Sequence, residues 1–169
     1  MNKFRLLVAI LLFANCGLLL AATPDPGNEN GLIDALRFDK SSSTRVANSG
    51  KAIRAYKRAK IVNHRPEQRA DYIDYYVVKK PSKFMGHDLM VIEEEYITRY
   101  TGCCVNPGIG VTVRAIGDTE NLAKFAKENS CSFSGDINLQ AQFDDVAIKF
   151  KVPRGRYASL SCRDNDALR

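Results

Sequence analysis

The clearest alternation of apolar and polar positions lies in the middle of the chain. Residues 88–100 read DLMVIEEEYITRY. Met90, Ile92, Glu94, Tyr96 and Thr98 fall on one side of an extended chain, and Leu89, Val91, Glu93, Glu95, Ile97 and Arg99 on the other. Both sides begin apolar and turn polar near the middle, as expected of a central strand buried on both faces at one end only. Ile109, Val111, Val113 and Ala115 then alternate with Gly110, Thr112 and Arg114, which predicts a half-buried strand. Between the two runs stands Asn106-Pro107-Gly108, where proline presets φ and glycine accepts a positive φ. The strands are expected to pair as a hairpin with Cys103 and Cys104 near its closed end.

The pattern continues on both sides of this hairpin. Tyr72 to Val78 is aromatic and β-branched, and reads as a strand. After Gly117, Asp118 is placed to cap a helix whose buried stripe is Leu122, Phe125 and Ala126. From Ile137 the alternation returns. Ile137, Leu139, Ala141 and Phe143, then Val146, Ile148, Phe150 and Val152, then Ala158, Leu160 and Cys162 predict a three-stranded antiparallel meander. Nearer the N-terminus, Leu32, Ala35 and Leu36 fit one face of a short helix. Ala52, Ala55, Tyr56 and Ala59 fit a narrow helical face, although Ile53, Ala55, Ala59 and Ile61 would also alternate on a strand. The expected architecture is α+β: a mainly antiparallel sheet with one packed helix, in a domain spanning 70–163. Residues 23–69 would form a basic, partly helical or flexible extension, and 164–169 a polar tail.

The first 22 residues change the compartment. Lys3 and Arg5 precede the apolar run 6–20, and Ala21-Ala22 and a Pro/Gly-rich break follow. This is the layout of an export signal, and the run is short of the roughly 20 residues a membrane span needs. Lipidation at Cys16 is a weaker alternative, because Phe13-Ala14-Asn15 does not suit it. Removing the leader takes the net charge from +6 to +4, since Lys3 and Arg5 are its only charges. That mild excess does not call for nucleic acid. The mature chain would hold Cys103, Cys104, Cys131 and Cys162. An even count in an exported chain implies two disulfides, and the expected pairing joins Cys103 and Cys104 to Cys131 and Cys162. There is no C-x-x-C pair, so no metal ligand set and no cofactor is expected.

Candidate chemistry is sparse. Glu93, Glu94 and Glu95 stand consecutively in a strand, and Glu94 shares a side with Met90 and Ile92, so it is the candidate general base. A lysine or arginine would equally neutralise it. His87 is the candidate partner, since His64 lies far away in sequence. Between Arg37 and Arg69 basic side chains outnumber acidic ones heavily, and Arg54, Lys57 and Arg58 are the candidate contacts for an anionic surface. The chain therefore reads first as an exported, periplasmic or secreted, binding protein of the inhibitor or immunity type. Its partner would be another protein in the cell envelope or outside the cell. A small envelope enzyme using a strand glutamate with His87 is the first alternative. A surface protein holding anionic lipid peripherally through residues 37–69 is the second.

Overall fold

The computed structural model describes residues 26–95 and 107–163. Residues 1–25, 96–106 and 164–169 lie outside the described residues, and with them the expected leader with Cys16, the expected turn with Cys103 and Cys104 and the expected polar tail. In chain order come α1 (Pro26–Leu36), β1 (Phe38–Asp39), β2 (Thr44–Arg45), α2 (Ser49–Arg58), β3 (Gln68–Ala70), β4 (Ile73–Val77), β5 (Lys83–Phe84), β6 (His87–Glu95), β7 (Gly108–Arg114), α3 (Glu120–Glu128), β8 (Ser132–Ser134), α4 (Leu139–Asp145) and β9 (Tyr157–Arg163). The fold is α+β.

One antiparallel sheet in the order β3-β4-β6-β7-β9-β8, with β5 added beside β6, carries the domain. As the alternation predicts, β6 and β7 pair antiparallel, and Glu95 lies opposite Gly108 in the last described pair. One face of the sheet is covered by α1, α2 and α3. Leu32, Leu36, Ile53, Tyr56 and Leu122 pack there on Ile92, Ile109, Val111 and Leu160. The other face is covered at one end only, by α4 and the following loop, where Leu139, Phe143 and Ile148 meet Val77, Val91 and Tyr157.

The local chemistry accounts for the helices. Asn48 caps α2 by accepting from the Lys51 N–H at 3.0 Å, and Ala52, Ile53 and Tyr56 supply its buried stripe. In α3 the buried stripe is the expected Leu122, Phe125 and Ala126, but the cap position is Thr119. Asp118 acts one residue earlier, where its carboxylate accepts from the Glu120 N–H at 3.2 Å.

Four expectations need correction. Residues 26–69 are not an extension of a 70–163 domain, because α1 and α2 bury Leu32, Leu36, Ile53 and Tyr56 in the core they share with the sheet. The strict alternation of 88–100 fails at a bulge between Leu89 and Val91. The bulge puts Leu89 on the face of Ile92 and leaves both Met90 and Val91 on the opposite face. The C-terminal meander is absent, and α3 is joined by α1, α2 and α4 as packed helices. Leu139 and Phe143, read as strand neighbours, stand four apart on α4, which Asn138 caps by accepting from the Ala141 N–H at 3.1 Å. The chain then reverses at Ala147 (φ 58°), and Gln140 holds the return through the Val152 N–H and the Phe150 carbonyl.

The fourth correction concerns the disulfides. Cys131 is bonded to Cys162, so neither is left for Cys103 or Cys104. The register explains it. Ser132 pairs with Ser161 across β8 and β9, so the next pair along is Cys131 and Cys162, with Cα atoms 4.3 Å apart. Beside the bridge, the Arg45 guanidinium donates to the carbonyls of Leu36, Asn129, Ser130 and Arg163. One side chain thus ties the end of α1 to the end of α3 and the end of β9.

Two stability measurements follow from this corner. Removing the bridge in a C131A/C162A double variant is expected to cost about 3–4 kcal/mol, given the separation of 31 residues. Arg45→Ala strands several carbonyls at once and is expected to cost about 2–4 kcal/mol in urea unfolding. Arg45→Lys should recover little, because an ammonium has no planar fork to span them.

Candidate functional site

The three glutamates of β6 divide between the two faces of the sheet. Glu94 points under α2. Gly50 at the start of that helix leaves room for it, since a Cβ there would stand 3.3 Å from the Glu94 carboxylate. Ser49, Lys57 and Arg54 lie near it, and each favours its charged form. Beside it the Lys57 ammonium donates to the Tyr76 hydroxyl at 3.0 Å and lies 4.3 Å from the ring centre. The Tyr76 hydroxyl donates to Asp74 at 3.2 Å, and Arg69 clamps Asp74 with two bonds of 2.5 and 2.9 Å. Burial raises the Tyr76 phenol well above its ordinary range, and the charges of Asp74 and Glu94 add to this.

This cluster joins two candidates that the sequence kept separate. Glu94 lies near Lys57 and Arg54 from the basic segment, whose charges partly offset the effect of burial on it. Arg58 is exposed in the last turn of α2. His87 is elsewhere. It opens β6 and lies roughly 20 Å from Glu94 at the usual rise per residue. There it is 3% exposed, takes the Ile116 N–H at Nδ1 and meets the Asn121 side-chain oxygen at Nε2, both at 3.1 Å. These two contacts hold the imidazole at the approach to α3. The geometry does not bring His87 and Glu94 together.

Glu93 and Glu95 point to the other face, and this is the pair that reasoning from the sequence passed over. Arg163, at the end of β9, stands between them. Its guanidinium is 3.7 Å from Glu93 and 3.4 Å from Glu95, and donates at 3.1 Å to the Ser161 hydroxyl and at 3.3 Å to the Gly108 carbonyl. Gly110 keeps space open for the Glu93 carboxylate, which would stand 3.4 Å from a Cβ there. Burial is the main influence on Glu93 and raises its pKa, while the Arg163 charge pulls it back.

A recess of about 290 Å³ opens beside Glu93. Tyr75 and Ser159 form its sheet side, and Leu139, Phe143 and Val146 form its apolar wall on and after α4. Burial raises the Tyr75 phenol, the charge of Glu93 adds to this, and the group stays a hydrogen-bond donor. The signal available in the sequence was Gly110 on the strand opposite Glu93, since a small residue opposite a long one leaves room over the neighbouring strand. A larger cavity, about 750 Å³, lies near Phe38, Arg45 and Glu95, and its rim runs into Pro107 at the edge of the described residues. Among the described residues, no group of three His, Cys, Asp or Glu side chains could hold a metal ion, and no helix is long and apolar enough to cross a membrane. No family model, no curated protein and no solved structure matches the chain.

The position of Glu94 gives a signed pH dependence. Burial is the largest influence and raises its folded pKa above the free value of 4.5. Such a group contributes stability at low pH that is lost as pH rises through the folded value. Glu94→Gln keeps the shape and cannot ionise. It is expected to match the wild type at pH 4 and to exceed it by pH 7 in urea unfolding, with the difference growing above about pH 4.5.

Proposed function

We propose that the chain is an exported binding protein that docks on another protein in the cell envelope or outside the cell. The observation that carries this reading is the recess beside Glu93, a concave surface of mixed polarity held on a rigid sheet. Binding sites of this form need preorganised side chains, and here Arg163, Gly110 and α4 fix them. Export draws support from the leader-like first 22 residues and, weakly, from the Cys131–Cys162 bridge. The separation of His87 from Glu94 favours binding over acid–base catalysis by that pair. The involvement of Lys57 and Arg54 with Glu94 leaves fewer cations of α2 for an anionic lipid surface.

The test is recovery of the natively exported chain, followed by intact mass and crosslinking capture. The expected mass lacks about 22 residues. Wild type is expected to recover a partner that a folded Ser159→Arg variant does not. Retention of the leader, or equal recovery by both proteins, would count against the reading.

A further inference from the structure

We infer that the recess beside Glu93 receives the cationic end of a small alkylammonium or alkylguanidinium group, carried either by a free amine or by a basic side chain of a partner. This deepens the binding reading and rests on it.

Size comes first. About 290 Å³ is at the lower bound of ligand cavities and suits a group of a few heavy atoms. Polarity comes second. Leu139, Phe143 and Val146 offer apolar surface to methylenes, while Glu93, Tyr75 and Ser159 put oxygens at the sheet side. A short alkyl chain with a polar head matches this division. Charge comes third. The Arg163 guanidinium approaches Glu95 more closely than Glu93. At 3.7 Å the contact with Glu93 is longer than a hydrogen bond. Asp145, on the rim from α4, adds a second carboxylate to the lining. Among the described residues the lining holds two carboxylates and no cation, and Arg163 stands behind Glu93 rather than in the recess, so an anionic head would meet repulsion from both carboxylates. A buried carboxylate that already resists ionisation gains most from a cation placed against it. Salt should weaken the attraction less than at an open surface, because the wall of α4 excludes water from one side.

The experiment uses the full chain, labelled with nitrogen-15, titrated with n-butylammonium, N-acetyl-lysine methylamide and N-acetyl-arginine methylamide, with pentanoate as the anionic control. Saturable shifts at Glu93, Val146 and Ser159 with the cations and none with pentanoate are expected. Glu93→Gln should weaken binding by about tenfold, the loss of a charge-assisted bond. Ser159→Leu fills the recess from the opposite side and should abolish binding, so the two variants test charge and space separately. Tighter binding of butylammonium than of the capped amino acids assigns the recess to a free amine. The reverse order assigns it to a partner's side chain. Pentanoate binding as well as butylammonium, no saturable shift with any cation, or affinity unchanged by both variants would overturn the inference. Partner capture by the wild type beside a silent titration would overturn it while leaving the binding reading intact. Saturable ammonium binding without a captured partner would leave the inference standing and remove the docking reading.

Discussion

A central strand that carries three consecutive carboxylates must find compensation on both faces of its sheet. Strand alternation sends Glu94 one way and Glu93 and Glu95 the other, and a buried carboxylate left alone would be costly. On one face the answer is α2, whose Lys57 reaches Glu94 and Tyr76 while its apolar stripe buries Ile53 and Tyr56. On the other it is Arg163 at the end of β9, which the Cys131–Cys162 bridge and Arg45 hold in place. The position of the N-terminal helix pair and the closure of the sheet edge therefore answer the same electrostatic demand. The excess of cations in residues 37–69 becomes intelligible in this light. Part of it is counter-charge for the sheet.

The two ends of β6 respond to pH with opposite sign. At its start, Asp88 accepts from Lys83 and Arg114, both at 2.6 Å, and these contacts hold its carboxyl below the ordinary value. That contribution is present above the free aspartate value and is lost as pH falls through the folded one. At its end, burial holds Glu93 and Glu94 above their ordinary values, so their contribution is lost as pH rises. One strand thus has a tightly paired end and an end under tension. The paired end lies with His87 at the α3 junction, where position is fixed by Asn121 and Ile116. The tense end borders the recess. The cost of burying Glu93 next to a concave surface follows the usual relation between strain and binding.

How much of this was legible depended on whether the governing contact was local. The β6–β7 pair, the β4 strand and the stripe of α3 are written in short-range periodicity, and they stand as read, while the helical reading of α2 holds with Ile53 in its buried stripe in place of Ala55 and Ala59. The face of each glutamate was legible only by parity, and Glu94 looked the stronger candidate because Met90 and Ile92 appeared to share its side. The bulge after Leu89 removes Met90 from that face, and no local pattern announces it. The partners Lys57 and Arg163 lie 37 and 69 positions from Glu94, so only the fold brings them to the triplet. The disulfide failed for a related reason. Adjacent cysteines at a turn invited long bridges, whereas a cross-strand neighbour in the β8–β9 register forms the bond that is seen.

The misread meander has the largest consequence for the site. Ile137, Leu139, Ala141 and Phe143 satisfy a period of two, yet Leu139 and Phe143 also satisfy a spacing of four, and the two readings compete. Asn138 decides between them by capping the helix, and Phe143 then meets Phe150 edge-on at 6.0 Å. Two further strands would have extended the sheet sideways and left the face of Glu93 flat. A helix followed by a folded-back loop instead covers Val77 and Val91 and stops short of Glu93. The edge of that cover is the wall of the recess. The cavity therefore exists because α4 is seven residues long, enough to bury the apolar half of the face and too short to reach its polar half.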